Sequence, residues 1–126
     1  MTNPRPKDGA RVFDLEERTA RFGEAILAFA KTLRADVVMR PLISQLVRSA
    51  TSVGANYSEA DEASSRKDFR YRIALCKREI KETKHWLRMI STAAPNSKEK
   101  ARALWREARE LQLILASIHR KSARAS

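Results

Sequence analysis

With 126 residues the chain is one domain's worth, long enough to bury a core without covalent staples. One cysteine excludes an intramolecular disulfide framework, and the polar, basic residues 1–11 argue against a leader or a membrane span, so a reducing cytoplasm is the expected setting. The formal charge of +11 is unevenly spread: residues 12–64 hold six Lys/Arg against eight Asp/Glu, residues 66–88 nine against three, and residues 98–124 eight against three.

Four helices and no strand are predicted, because no stretch alternates apolar and polar residues for long enough. The first helix begins at Asp14, with Glu17 completing a capping box, and runs to about Arg34, burying Phe22, Ile26, Phe29, Ala30 and Leu33. Pro41 suits a first helical position, so the second helix runs from near Arg40 to near Glu62 on a core stripe of Ile43, Leu46, Ala50, Val53 and Tyr57. Ser65 with Asp68 marks the third start; Phe69, Ile73, Cys76, Ile80, Thr83, Leu87 and Ile90 then recur in strict four-three alternation. Pro95 and Asn96 break that helix. Asn96 with Glu99 caps a fourth, which buries Ala101, Leu104, Ala108, Leu111, Leu115 and Ile118. Connections of roughly four to seven residues favour antiparallel neighbours. The expected fold is all-α, an up-down-up-down antiparallel four-helix bundle over residues 13–121, with a flexible basic tail at 1–12 and a frayed end at 122–126.

Beside its core stripe the second helix carries a polar one: Gln45, Ser49, Ser52, Asn56 and Glu59. Ser and Asn are mediocre helix formers, so spending them on one inner edge suggests that they meet something specific. The plain reading is that they bond a neighbouring helix or the next subunit and fix its register; a ligand is the sharper one. Facing candidates are Arg72, Glu79 and Glu82 on the third helix, with Trp86 completing the row, and Arg48 or Arg72 could neutralise Glu59.

Glu82 and His85 have the Glu-x-x-His spacing of di-iron bundles, but such a site needs that pair twice. The other histidine, His119, has Ala116 three residues before it, and the core pattern turns His85 outward. No metal and no cofactor are expected. Cys76 lies on the apolar stripe with no histidine on its face, and there is neither a Gly-rich phosphate loop nor a Gly-x-Ser-x-Gly turn. Buried carboxylates among Glu59, Glu79 and Glu82 would be the one acid–base option, so no enzymatic activity is expected.

The basic half of the chain has a pattern of its own. Lys67, Arg70, Lys77, Lys81, Lys84 and Arg88 fall on one side of the third helix's core stripe, and Arg102, Arg106, Arg109 and Arg120 on the outer face of the fourth. Cations at helical spacing can track phosphates and release counterions as they bind. Without interleaved exposed aromatics, such rows suggest backbone contact rather than base reading. A solvated face is the ordinary explanation for one such helix; two adjacent ones bring nucleic-acid binding level with it. The alternative is a scaffold whose basic surface docks an acidic protein.

Three pieces in order and at usual spacing carry a family resemblance: Gln45-Leu46, then Thr51-Ser52 with Asn56 and Glu59, then Glu82-Thr83 with Trp86-Leu87. From about Phe13 to Ile118 the chain resembles the bacterial four-helix-bundle proteins first noticed as reading frames in intervening sequences of large-subunit ribosomal RNA genes. It departs from them at Glu59-Ala60, where Glu-Gly is frequent, and at Arg78-Glu79, where small residues are common. The resemblance implies a ring-like homopentamer. It also implies kinship in architecture with the accessory variability determinant of diversity-generating retroelements, which pairs with a reverse transcriptase and binds nucleic acid through a basic surface. The function expected is thus a non-enzymatic nucleic-acid-binding accessory protein, RNA being the first candidate and a reverse transcriptase a possible partner.

Overall fold

The computed structural model describes residues 14–124; the expected basic tail at 1–12 lies outside the described residues. Helices α1 (Leu15–Lys31), α2 (Met39–Asp61), α3 (Arg66–Ala93) and α4 (Lys98–Arg124) follow one another, with a 3-10 turn, Pro95–Ser97, before the last. Among the described residues there is no strand. Each helix packs on its sequence neighbours, and α4 returns to α1 over a shorter stretch. The chain is an all-helical four-helix bundle, and none of the helices described is long and apolar enough to cross a membrane.

Two helix starts follow from their caps. The Asp14 carboxylate accepts from the Glu17 backbone N–H at 3.3 Å, and the Ser65 hydroxyl from that of Asp68 at 3.0 Å. The other two begin within two residues of where they were expected, α2 at Met39 and α4 at Lys98, but not through the expected signals. The Asp36 carboxylate accepts from the N–H groups of both Val38 and Met39, at 3.0 and 2.8 Å, so α2 opens before Pro41, which sits at the third helical position. At α4 the 3-10 turn runs straight into the helix, with Ser97 donating to the Ala94 carbonyl at 2.7 Å. The α4 helix also continues through Arg124, past the expected end at 121.

The core is a single cluster. Leu15, Phe22, Ile26 and Phe29 of α1, Leu46, Ala50 and Val53 of α2, Ile73, Cys76, Ile80, Leu87 and Ile90 of α3, and Ala101, Ala108, Leu111 and Leu115 of α4 are all buried. Fully burying a Leu or Ile side chain is worth about 1.5–3 kcal/mol, so this cluster outweighs any surface pair in the bundle. Thr19, buried in α1, returns its hydroxyl to the Leu15 carbonyl at 2.7 Å and so costs the core no open donor.

Candidate nucleic-acid interface

Along α3 the residues Lys67, Arg70, Lys77, Lys81, Lys84 and Arg88 share one edge beside the buried stripe. On α4, Lys98, Arg102, Trp105, Arg109, Gln112 and His119 share another. Packing of the two helices brings these edges together. The Lys84 ammonium donates to Gln112 Oε1 at 2.7 Å and stands 4.7 Å from the centre of the Trp105 ring. Toward the other end, the Arg70 guanidinium lies 3.5 Å from His119 Nε2, and its Nε is buried with no partner among the described residues. Between Arg88 and Lys98 the edges part into an open groove of about 550 Å³, lined also by Leu87, Ser91, Thr92, Ala101, Arg102, Trp105 and Arg106.

Four of the six carboxylates of these two helices are held on other flanks. Arg18 of α1 takes Glu107 through Nε at 2.8 Å and Nη2 at 2.9 Å, and Glu110 at 2.9 Å. That fork holds the Arg18 guanidinium firmly in its charged form. Arg48 of α2 bonds Glu79 at 3.1 Å and also Glu82, while its Nε donates to Gln45 at 3.0 Å. Among the described residues, no carboxylate lies within ion-pair distance of Lys67, Arg70, Lys77, Lys81, Lys84, Arg88, Arg102, Arg106 or Arg109.

Burial and neighbouring like charges leave a mark on two titrating groups. Burial, then Arg109 and Lys81, push the Lys84 pKa below that of a free lysine. Burial, then Lys77 and Arg70, push His119 below an ordinary imidazole. Both shifts disfavour further positive charge in the cleft, and an anion placed there would oppose them.

The polar stripe of α2 divides. Ser49 is buried, and its hydroxyl meets that of Thr83 on α3 at 2.9 Å, a hydrogen bond that ties α2 to α3 inside the core. The other members stay local. Ser52 donates to the Arg48 carbonyl at 2.7 Å, and Asn56 Nδ2 to the Ser52 carbonyl at 3.0 Å. Neither reaches a second helix, because a short polar side chain inside a helix can satisfy itself one turn back. Glu59 is exposed, and neither Arg48 nor Arg72 neutralises it. Arg48 belongs to Glu79 and Glu82, and Arg72 lies 3.9 Å from Asp68.

Metal and nucleophile candidates resolve by position. Glu82 turns to Arg48, whereas the exposed His85 packs edge-on against Trp86, with ring centres 4.9 Å apart. No group of three or more potential metal ligands occurs among the described residues. The Cys76 thiol is buried and donates to the Val53 carbonyl at 3.5 Å; burial pushes its pKa up to about 12, which removes the thiolate that nucleophilic chemistry needs.

Sequence reasoning placed the cations but missed Trp105, Gln112, Ser91 and Thr92 as their neighbours. The signal was present: Trp105 falls in the 98, 102, 105, 109, 112 spacing, on the α4 edge that also carries Arg102 and Arg109. Recognising it required pairing that edge with α3, which single-helix periodicity does not do.

No curated protein matches the chain. Among solved structures, a protein of unknown function from the S23 ribosomal protein family of Bacteroides thetaiotaomicron superposes with a TM-score of 0.76 at 28% identity, covering 82% of this chain and 96% of that one. A family model described as 23S rRNA-intervening sequence protein matches residues 13–117, which take in the cores of all four helices and most of the cationic cleft. The chain belongs to the 23S rRNA-intervening sequence protein family.

Proposed function

We propose that this protein is a cytoplasmic RNA-binding accessory protein with no catalysis of its own, and that the α3–α4 cleft is where RNA lies. One observation carries the reading: two packed helices turn like-charged edges toward each other, while Arg18 and Arg48 hold most of their carboxylates on the opposite flanks. Left alone, such an arrangement is repulsive; a polyanion along the cleft converts it into attraction. The family's association with ribosomal RNA genes supports RNA as that polyanion. The inert Cys76 thiol and the pairing of Glu79 and Glu82 with Arg48 support a binding rather than a chemical role. A homopentameric ring and a reverse transcriptase as partner extend the proposal; both rest on resemblance alone.

The test is RNA mobility in a native gel across a salt series. Retardation at low salt that fades steeply toward moderate salt supports the reading, since each phosphate neutralised releases counterions. An unretarded RNA at low salt, with the protein folded, overturns it.

A further inference from the structure

The cleft is not uniform along its length. Between Lys77 and His119 its polar edge is occupied by cations and Gln112, but at the Arg88 end it opens into the groove of about 550 Å³. That volume falls within the range of small-ligand sites, which runs from about 300 to 1,000 Å³. The groove's lining combines three kinds of group: the buried, apolar Leu87 and Ala101 with the half-buried Trp105, the hydroxyl residues Ser91 and Thr92, and the exposed Arg88, Arg102 and Arg106. Apolar and aromatic surface, hydroxyls and guanidinium groups match the three parts of a nucleotide: base, ribose and phosphate.

We propose that this groove is a nucleotide pocket, which takes one unpaired base of an RNA strand against Trp105 while the arginines hold the phosphates on either side. The proposal rests on the RNA-binding reading and adds to it the kind of RNA: single-stranded rather than duplex. In a duplex the bases are stacked on one another, so only phosphates and sugar edges reach the arginines, and the apolar lining gains nothing. In a single strand a base can leave its neighbours and pack on the indole, an interaction tolerant of sequence because every base has a π-face. Lys84, bonded to Gln112, stands over the ring at 4.7 Å, so a base would pack on the part of the indole that it leaves to the groove.

The test uses an oligouridylate of about twelve nucleotides and a blunt RNA duplex of equal length, both at low salt. Wild-type emission minus that of Trp105→Phe isolates the signal of Trp105 from that of Trp86. Saturation with oligouridylate quenches the Trp105 signal, and the duplex leaves it nearly unchanged. Trp105→Leu weakens the single strand about ten- to a hundredfold, the loss expected of one stacked base, and the duplex by less than about threefold; Trp105→Phe stays within about fivefold of wild type. Oligouridylate that binds without altering the Trp105 signal overturns the pocket and leaves the cleft reading standing. Equal weakening of both RNAs by Trp105→Leu, with helicity unchanged by circular dichroism, also overturns it. If Trp105→Leu loses helicity, the emission difference alone decides. If neither RNA binds at low salt, the cleft reading falls, and the pocket with it.

Discussion

His119 is the titrating imidazole of the cleft. Burial, with Lys77 and Arg70 facing it from α3, holds its pKa in the folded bundle below that of an ordinary imidazole. The unfolded chain therefore binds a proton that the folded one resists, and stability falls as pH drops through the ordinary imidazole range toward the folded value. His119→Gln is expected to flatten the decline in thermal midpoint between about pH 7 and pH 5, measured without RNA. A bound phosphate opposes this, because it favours the imidazolium; RNA affinity of the wild type then rises as pH falls over that interval more than that of His119→Gln. Inside the core, the Ser49–Thr83 pair sets a different expectation. Thr83→Val removes a buried donor and leaves the Ser49 hydroxyl with the Leu46 carbonyl alone, at 3.3 Å. The cost expected in chemical denaturation is about 0.5–1.5 kcal/mol, the net worth of one intramolecular hydrogen bond. Asn56, bonded one turn back on its own helix, should matter less than its place in the polar stripe suggested.

At the scale of the element, the caps explain both what was legible in the sequence and what was not. Asp14 with Glu17 and Ser65 with Asp68 are local signals, complete within four residues, and they marked the starts of α1 and α3 correctly. The start of α2 was legible to within one residue from Pro41, but its working acceptor, Asp36, lies farther upstream and was not. Asp36→Ala should cost about 0.5–2 kcal/mol in denaturant unfolding, as the loss of a helix cap does. Core stripes at spacings of three and four identified the buried faces of all four helices, since burial follows period. Trp105 was missed because its significance depends on the helix it faces, and periodicity describes one helix at a time. Gly54 gives a further element-scale expectation. A methyl added there would sit 3.5 Å from the Thr19 carbonyl of α1, an ordinary contact, so Gly54→Ala should raise stability by about 1 kcal/mol through helix propensity. A lower thermal midpoint would show that α1 and α2 approach more closely than that contact allows.

At the scale of the molecule, the bundle separates its charges. Arg18 and Arg48 draw carboxylates of α3 and α4 toward the first two helices, and the excess cations collect along the α3–α4 cleft. Net charge alone cannot create such a site; its distribution can. The measurement that bears most directly on this account compares two variants with the same net charge. Lys81→Glu with Arg109→Glu reverses two exposed cations of the cleft; Arg34→Glu with Arg40→Glu reverses two exposed cations of the first half of the chain. Affinity for a single-stranded RNA is followed from about 50 to 200 mM salt, where each phosphate contact adds about −0.7 to the slope of log affinity against log salt. The cleft variant is predicted to lose most of its low-salt affinity and much of that slope, with the distal variant close to wild type. Equal losses in the two variants, or a wild-type affinity that does not change with salt, would contradict the account.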